Sequence, residues 1–275
     1  MNPIVRKVYY ALPVKFRYLL RRIIYLPSDI FRDKNELVPP KGMIFTGRGD
    51  YRKVGEATFE YFRKHGVITP QSYILDIGSG IGRMAVPFTK YLDETGRYEG
   101  FDIVKMGVDW CTQNISSKYP NFRFKNIELK NDLYNLSTNK EASGLRFPYP
   151  DNHFDFVFLT SVFTHMLPKD VEHYISEIKR VLKPGKRCFA TFFVLDKQSE
   201  ASMITKGSKS FGHHFGNYSL MNKKVKEANV AYQKDYIFEL LKSHDLELVN
   251  FFRGFWSGLP AEELGEHQDV ILFKK

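Results

Sequence analysis

The stretch YILDIGSGIGR, residues 73–83, decides the fold of this 275-residue chain. Its first five residues form an apolar run that predicts a buried strand, and the glycines that follow predict a tight turn. A helix is predicted to begin at Gly82. Glycine lets the backbone approach a ligand closely, and the first N–H groups of a helix have no partner within it. The stretch therefore predicts a strand, a ligand-binding turn and a helix in direct succession.

The same alternation of strand and helix continues along the chain. The predicted strands cover residues 72–77, 98–103, 122–127, 154–160, 187–194, 246–252 and 270–273, and the predicted helices cover residues 50–65, 82–91, 104–118, 169–181 and 235–243. Repeated strand–helix units form parallel sheets with helices on both faces. We therefore expect an α/β fold with a Rossmann-like, doubly wound and mostly parallel sheet of seven strands. Only a turn-like stretch separates the last two strands, which predicts an antiparallel strand at the C-terminal edge.

A glycine turn of this kind suits either a dinucleotide or S-adenosylmethionine (SAM), and the residues around it favour SAM. Asp76 stands just before the first glycine, where a carboxylate would repel a pyrophosphate but attract the amino group of a methionine moiety. Arg83 stands where the dinucleotide pattern G-x-G-x-x-G requires its third glycine. Asp102 ends the second predicted strand, where an acid can bind both ribose hydroxyls of either ligand.

Four stretches together resemble the class I SAM-dependent methyltransferases, in particular the small-molecule group with the methyltransferase type 11 pattern. They are ILDIGSGIGR (74–83), EGFDI (99–103), LRFPYPDNHFDFVFLTSVFTHM (145–166) and EIKRVLKPGKR (177–187), and the resemblance covers residues 50–275. It implies SAM as the cofactor and methyl transfer as the reaction. The cofactor-binding residues that it implies are Asp76, Gly78, Ser79, Gly80, Arg83, Asp102, Ile103, Glu128, Thr160 and Ser161.

The resemblance also implies which part of SAM some of these residues contact. Asp102 binds the ribose, and Ile103 packs on the adenine. Glu128, at a position where an aspartate is commoner, meets the adenine amino group. Thr160 and Ser161 lie beside the methionine sulfur. The chain departs from the common LKPGG pattern only at Lys186, which stands at the second glycine.

The acceptor is predicted less directly. His165 follows the fourth predicted strand and is the candidate general base, because its ordinary pKa leaves it largely neutral at pH 7. The sequence after that strand, TSVF (160–163), lacks the motif of nucleic-acid amino-methyltransferases. We therefore expect a small-molecule, sugar or lipid-linked acceptor, methylated at a hydroxyl oxygen. Two alternatives stay open, a nicotinamide-dependent Rossmann oxidoreductase and a non-catalytic SAM-binding subunit. No spacing of histidine, cysteine or acidic residues predicts a metal site.

Charge divides the chain into an arm, residues 1–40, and a domain, residues 41–275. Residues 1–34 hold eight Lys or Arg and two acids, a net +6 of the total +10. Because the basicity is concentrated there, nucleic acid is not an expected partner. The arm is predicted to form basic amphipathic helices over residues 3–26, with Pro27 ending the second. Two interpretations stay open: the arm packs on the domain or on a second subunit of a homodimer, or it lies on an anionic membrane surface.

Two further expectations concern the segment at 196–233 and the compartment. Residues 196–233 are polar and long, which predicts a lid or an insertion. Two cysteines, Cys111 and Cys188, form no pairing motif, and residues 1–34 lack the apolar core of a signal peptide. We therefore expect a cytoplasmic protein, with peripheral contact at the inner face of the membrane if the arm binds lipid.

Overall fold

The computed structural model describes residues 14–32, 37–45, 47, 49–131, 138–206, 210–262 and 266–275. Within these ranges the strands form two sheets. In chain order the strands are β1 (Tyr73–Ile77), β2 (Arg97–Asp102), β3 (Phe122–Asn126), β4 (Phe154–Leu159), β5 (Leu182–Phe192), β6 (Val194–Leu195), β7 (His213–His214), β8 (Tyr218–Leu220), β9 (Val230–Gln233), β10 (Glu247–Phe252) and β11 (Asp269–Lys274).

The larger sheet has seven strands in the order β10-β11-β5-β4-β1-β2-β3. The pairs β1–β2, β1–β4, β2–β3 and β4–β5 are parallel, and β11 runs antiparallel to both β5 and β10. The predicted seven-stranded, mostly parallel sheet with an antiparallel last strand is therefore confirmed. That last strand lies second from the edge, between β5 and β10. Its reversal brings its amino end to the edge of the sheet where the parallel strands finish.

The described helices are α1 (Val14–Ile30), α2 (Tyr51–His65), α3 (Ala85–Phe88), α4 (Lys105–Cys111), α5 (Pro168–Val181), α6 (Lys197–Thr205) and α7 (Lys234–Ser243). Helix α2 begins as predicted at Asp50, whose Oδ1 accepts hydrogen bonds from the backbone N–H groups of Arg52 and Lys53. It ends as predicted at Gly66. Helix α4 continues as one π-helical turn, Thr112–Ser116, and α3 is shorter than the helix predicted there.

Pro27 does not end the arm helix, contrary to the prediction. Helix α1 continues through Pro27 to Ile30. A proline inside a helix removes one backbone hydrogen bond, but the last turn of α1 is held by Asp29. The two carboxylate oxygens of Asp29 accept hydrogen bonds from the backbone N–H groups of Lys41, at 2.6 Å, and Gly42, at 3.0 Å. The first predicted helix of the arm falls on residues 1–13, outside the described ranges.

The hydrophobic core lies on both faces of the large sheet. Strand β4 shows this most clearly, because successive side chains of a strand point to opposite faces. Phe156 and Phe158 pack with helices α2 and α3 on one face, whereas Val157 and Leu159 pack with α5 and α7 on the other. Full burial of one such side chain stabilises the fold by about 1.5–3 kcal/mol. This two-sided core fixes the edge at which the parallel strands end.

The described parts of the predicted insertion, residues 196–206 and 210–233, contain a helix and three short strands rather than one long loop. Asp196 caps α6 through a reciprocal pair of hydrogen bonds with Ser199. Strands β6, β9, β8 and β7 then form a second, small sheet in that order. Its strands have two to four residues each. Such strands are too short to produce the alternating pattern by which a strand is recognised in a sequence.

No described helix combines the length and the hydrophobicity needed to cross a membrane.

Candidate cofactor and acceptor site

One large cavity, of about 970 Å³, opens at the carboxyl ends of β1, β2, β4 and β5. This is the edge at which open α/β sheets bind their ligands. The glycine turn after β1 forms one wall of the cavity. The opposite wall comes from residues that flank the strands of the small sheet, such as Phe193, Phe211 and Asn229, and from residues 255–256 and 266–268, which precede β11. The cavity therefore joins the predicted cofactor turn to a second set of residues on the far side of the sheet.

The glycine turn is held in place by backbone contacts that admit no side chain. The N–H groups of Gly78 and Ser79 donate hydrogen bonds to the Phe101 carbonyl at 2.9 and 3.0 Å. Gly78 has a φ of +78°, which favours glycine. A Cβ at Gly78 would lie 2.4 Å from Val162 Cγ2, and a Cβ at Gly107 would lie 2.1 Å from the Gly80 carbonyl oxygen. The closeness of the turn to α4 therefore depends on Gly107 as well as on the turn itself.

Asp102 connects the end of β2 to this turn. Its Oδ2 accepts a hydrogen bond from the Gly80 N–H, and its Oδ1 accepts one from the Val104 N–H, both at 2.7 Å. Burial raises the pKa of Asp102, while these backbone hydrogen bonds act in the opposite direction. Asp102 therefore organises the turn, in addition to being available to a ligand that enters the cavity.

The carboxylate of Asp76 is buried, but only one of its two oxygens has a hydrogen-bond partner among the described residues. Its Oδ2 accepts a hydrogen bond of 2.6 Å from the Tyr98 hydroxyl. Its Oδ1 has no hydrogen-bond partner among the described residues, and neither has the buried Oγ of Ser79. Burial raises the pKa of Asp76 to about 8, and the nearby carboxylate of Asp102 adds to that increase. Buried polar atoms are normally paired, so these two atoms fit the charged and polar head of a ligand.

Arg83 lies on the arm side of the cavity. Its guanidinium carbon is 5.5 Å from the ring centroid of Tyr51, and burial lowers the pKa of the side chain. A Cβ at Gly47 would lie 2.3 Å from an Arg83 guanidinium nitrogen. The guanidinium therefore lies directly against the backbone that leads into α2.

Thr160 and Ser161 follow β4 and border the cavity. Ser161 has a φ of +60°, a conformation that is uncommon for residues other than glycine. Its N–H donates to Thr191 Oγ1 at 2.7 Å, and its hydroxyl donates to Gln268 Oε1 at 3.0 Å. These two bonds hold the strained residue between β5 and the start of β11.

His165 connects the chain after β4 to the 196–233 segment. It ends a short 3₁₀ helix, Phe163–His165, and its Nδ1 is 2.9 Å from the Glu227 carbonyl oxygen. A carbonyl only accepts, so the neutral ring carries its proton on Nδ1. Burial lowers the pKa of His165, while hydrogen bonds to the backbone of Glu227 and Ala228 act in the opposite direction. The ring is therefore neutral at pH 7.

Of the residues predicted for the site, all but Glu128 border the cavity. They are Asp76, Gly78, Ser79, Gly80, Arg83, Asp102, Ile103, Thr160, Ser161 and His165. Glu128 is exposed and borders a separate, more open cavity of about 710 Å³. Its neighbour Leu129 is buried and borders the main cavity, and this leaves Glu128 facing solvent. The structure therefore does not bring Glu128 together with the other residues.

Comparison with known proteins relates the central part of the chain to methyltransferases. A family model described as "Methyltransferase domain" matches residues 75–190. "Uncharacterized methyltransferase C1B3.06c" of Schizosaccharomyces pombe is 33% identical over 112 residues, which are 41% of this chain and 36% of that protein. "Probable methyltransferase ltbC" of Aspergillus luteorubrus is 35% identical over 126 residues, which are 43% of this chain and 39% of that protein.

A solved structure extends the likeness of fold over nearly the whole chain. The 1,6-didemethyltoxoflavin-N1-methyltransferase of Burkholderia thailandensis, crystallised with bound 1,6-didemethyltoxoflavin and S-adenosylhomocysteine, aligns with a TM-score of 0.51 at 16% identity. The alignment covers 96% of this chain and 90% of that one. Residues 75–190 therefore form a methyltransferase domain of the class I, SAM-dependent type. SAM is accordingly the cofactor of the domain, as predicted. The matched stretches make up less than two fifths of either curated relative.

The acceptor side of this methyltransferase cavity contains residues that the sequence did not single out. They are Phe193, Phe211, Met221, Phe255, Trp256, Glu266, His267 and Gln268. Phe193, Phe211 and Trp256 pack edge to face or tilted, with ring centroids 5.1–5.4 Å apart. Glu266 accepts a 3.4 Å hydrogen bond from Thr58, and burial raises its pKa. An excess of aromatic residues around 251–256 was the only sequence signal for this wall.

Proposed function

We propose that this protein transfers the methyl group of SAM to a hydroxyl oxygen of a small, partly apolar acceptor, including sugar and lipid-linked acceptors. The observation that carries the proposal is a single cavity with a cofactor wall on one side and an aromatic wall with a few polar groups on the other. Small-molecule sites typically enclose about 300–1,000 Å³. A cavity of about 970 Å³ lies at the upper end of that range, which suits a cofactor and a small acceptor together.

On the cofactor side, the proposed roles follow the partners of each group. The unpaired Oδ1 of Asp76 and the hydroxyl of Ser79 would bind the amino and carboxylate groups of the methionine moiety. The remaining lone pairs of Asp102 would accept hydrogen bonds from the ribose hydroxyls. Glycines at 78 and 80 leave room for the backbone to contact the cofactor. Arg83 contributes positive charge at the end of the cavity nearest α2.

SAM supplies an electrophilic methyl group when bound, and the protein supplies position and a proton acceptor. In the proposed step, a bond forms between the acceptor oxygen and the methyl carbon as the bond between that carbon and sulfur breaks. The products are the methyl ether and S-adenosylhomocysteine, and the hydroxyl proton passes to a base. Phe211, Met221 and Asn229, from the 196–233 segment, border the cavity and would keep water from the reacting atoms.

Two side chains could accept that proton, and both border the cavity. Burial lowers the pKa of His165, which favours the neutral ring, and with the proton on Nδ1 the basic nitrogen would be Nε2. Glu266 is the second candidate, because a carboxylate with a raised pKa is a stronger base than an ordinary one. Either base would suit a hydroxyl acceptor, whose proton must leave as the methyl group arrives.

Isotopically labelled SAM tests the proposal directly. Purified protein is first assayed for thermal stabilisation by SAM, by S-adenosylhomocysteine and by NAD(H), and we expect only the first two to stabilise it. It is then incubated with labelled SAM and hydroxyl-bearing glycans and lipids, each beside an analogue that lacks the hydroxyl. We expect label on the hydroxyl compound alone. Label on the analogue would show that a carbon or a nitrogen is methylated instead of the hydroxyl oxygen. SAM binding without turnover on any acceptor would favour a non-catalytic subunit.

The same assay distinguishes the two bases. Replacement of the proton acceptor should lower kcat by about 10²–10⁴-fold and remove the acid limb of the pH–rate profile. We expect this for His165→Gln, with little change in SAM affinity, and a smaller effect for Glu266→Gln. The reverse result would assign the proton to Glu266 and leave His165 as the residue that holds Glu227 in place.

A further inference from the structure

Helix α1 lies on the domain with its polar side inward. With about 100° per residue, Phe16, Leu19, Leu20, Ile23, Leu26 and Ile30 fall on one side of the helix, which we call the outer face. All six are exposed, and Phe16, Ile23 and Ile30 are 61%, 60% and 59% exposed. A helix at the surface of a globular protein normally turns its apolar side to the core. The orientation of α1 is the opposite.

The inner side of α1 explains this orientation. Arg21 donates hydrogen bonds to the carbonyls of Lys41 and Ile44, and Asp29 accepts from the backbone of Lys41 and Gly42. Gly42 permits the approach, because a Cβ there would lie 2.8 Å from the Arg22 Cα. The polar side of α1 is therefore attached to the short segment at 41–44 by hydrogen bonds, and this attachment fixes the outer face away from the domain.

Basic residues border the outer face. On the helical projection, Arg17 follows the outer face on one side and Arg22 on the other, and Arg22 is exposed. The only acid in residues 14–32 is Asp29, and both of its oxygens bind backbone N–H groups. An apolar stripe between basic residues is the composition of a helix that lies in the headgroup region of an anionic bilayer.

We propose that the outer face of α1 docks onto a membrane surface that contains anionic lipid. Charge favours this occupant over a second copy of the chain. In a two-fold dimer through this face, two helices with the same excess of arginine would face each other, and like charges repel. Anionic headgroups would instead neutralise Arg17 and Arg22 while the apolar side chains enter the upper acyl region. The inference does not depend on which molecule is methylated.

The docked helix would lie next to the cavity. The ring of Tyr18, on α1, is 5.8 Å from that of Phe45, and Phe45 borders the cavity. Residues 41–44, to which α1 is hydrogen-bonded, directly precede Phe45 in the chain. A bilayer under α1 would therefore bring membrane-dissolved molecules to the side of the protein where the cavity begins.

Vesicle co-sedimentation of the full chain tests the proposal. The vesicles are phosphatidylcholine alone, or phosphatidylcholine with about one part in three of phosphatidylglycerol. We expect binding to the mixed vesicles at least tenfold stronger than to the neutral ones at about 0.1 M salt. Binding should weaken at about 1 M salt, where the screening length falls from about 10 Å to about 3 Å.

Matched variants distinguish the outer face from a general effect of charge. Ile23→Asp should lower binding to the mixed vesicles at least tenfold, whereas Ile204→Asp should not, although Ile204 is 79% exposed. Arg22→Glu should weaken binding, and Lys118→Glu, at an exposed position elsewhere, should not. All four variants change exposed residues and should melt within a few degrees of the unchanged protein.

Two results would overturn the proposal. The first is equal binding of the Ile23→Asp and Ile204→Asp variants to mixed vesicles. The second is a wild-type protein that ignores vesicles and is dimeric by light scattering, with Ile23→Asp converting it to a monomer. In that case the outer face would be a subunit interface.

Discussion

At the scale of single residues, two buried carboxylates control the cofactor wall in different ways. Asp102 has backbone hydrogen bonds at both oxygens, so removal of its side chain would disturb the glycine turn as well as any ribose contact. Asp76 has one oxygen bound to Tyr98 and one without a partner. Its negative charge is therefore poorly compensated in the ligand-free protein, and it depends on the bound cofactor for its counter-charge.

This imbalance makes stability depend on pH. The folded state raises the pKa of Asp76 from 3.8 to about 8, so it holds a proton that the unfolded chain releases. Stability should therefore fall as the pH rises from about 4 to about 8. We expect Asp76→Asn to melt at a higher temperature than the unchanged protein at pH 8.5, with a smaller difference at pH 5. SAM binding should weaken at least tenfold.

Calorimetric melting at both pH values, with and without SAM, checks this expectation. Asp109→Asn is the control, since Asp109 is half exposed and paired with Lys105 on α4. It should change neither the pH dependence nor the SAM affinity. An Asp76→Asn protein that is less stable than the unchanged one at pH 8.5 would show that the Asp76 charge is compensated in the ligand-free fold.

At the scale of helices and strands, contact between α4 and the glycine turn is the most constrained feature. A Cβ at Gly107 would lie 2.1 Å from the Gly80 carbonyl oxygen, well inside any real contact. The turn would have to move, and Gly80 N–H would then leave Asp102 Oδ2. Gly80 and Gly107 are 27 residues apart, so the sequence alone does not show that they are in contact.

Gly107→Ala should therefore weaken SAM binding about tenfold or more, a loss of about 1.4 kcal/mol or more. Gly144→Ala is the matched control, because a Cβ there would meet nothing within 4 Å. Titration calorimetry with S-adenosylhomocysteine measures both variants. Equal affinities would mean that α4 can shift without displacing the cofactor turn.

Sequence patterns predicted the elements that are long and regularly apolar. Strands β1, β2, β3 and β4 lie within one or two residues of their predicted bounds. β1, β2 and β4 are runs of mostly buried side chains, and β3 alternates phenylalanine with polar residues. The small sheet was not predicted, since its strands are short and their pairing is set by contacts with the domain. The course of α1 through Pro27 depends on Asp29 and residues 41–42, which are distant in sequence from the proline.

The candidate site was predictable on one side and not on the other. The cofactor wall consists of one continuous motif and the end of the next strand, so local spacing was enough to find Asp76 and Asp102. The acceptor wall gathers residues from four separate segments. Glu266 and Phe193, for example, come together only because β11 runs antiparallel beside β5. Glu128 was assigned by resemblance, from its place after the third strand, whereas the structure directs its neighbour Leu129 to the main cavity.

At the scale of the whole molecule, Asp269 joins the large sheet to the acceptor wall. It lies at the start of β11 and is fully buried. Its oxygens accept hydrogen bonds from the backbone N–H groups of Val194 and Gly254 and from the indole N–H of Trp256. One carboxylate therefore fixes two pieces of chain, at residue 194 and at residues 254–256, around the aromatic side of the cavity.

Loss of this carboxylate should lower the stability of the whole protein. Asp269→Ala leaves two buried donors and one partly buried donor without their acceptor, at about 1–3 kcal/mol each. We expect the melting temperature to fall by about 6 °C or more, at about 2–4 °C per kcal/mol for a protein of this size. Asp245→Ala, which removes an exposed ion pair with Lys179, should change it by about 1–2 °C. Similar melting temperatures for the two variants would show that contacts other than those of Asp269 stabilise the acceptor wall.

The reversal of β11 also bears on how such a protein diversifies. Chain that leaves the parallel strands β1 and β2 builds the cofactor wall, whereas the chain between β5 and β11 builds the acceptor wall. The two walls meet at few positions, among them Ser161 and Gln268. Substitutions can therefore accumulate in residues 196–233 and 253–268 without disturbing residues 74–107. We expect these two segments to vary in sequence independently of the cofactor wall. Descendants of one ancestor could then keep the same methyl donor and come to modify unrelated molecules.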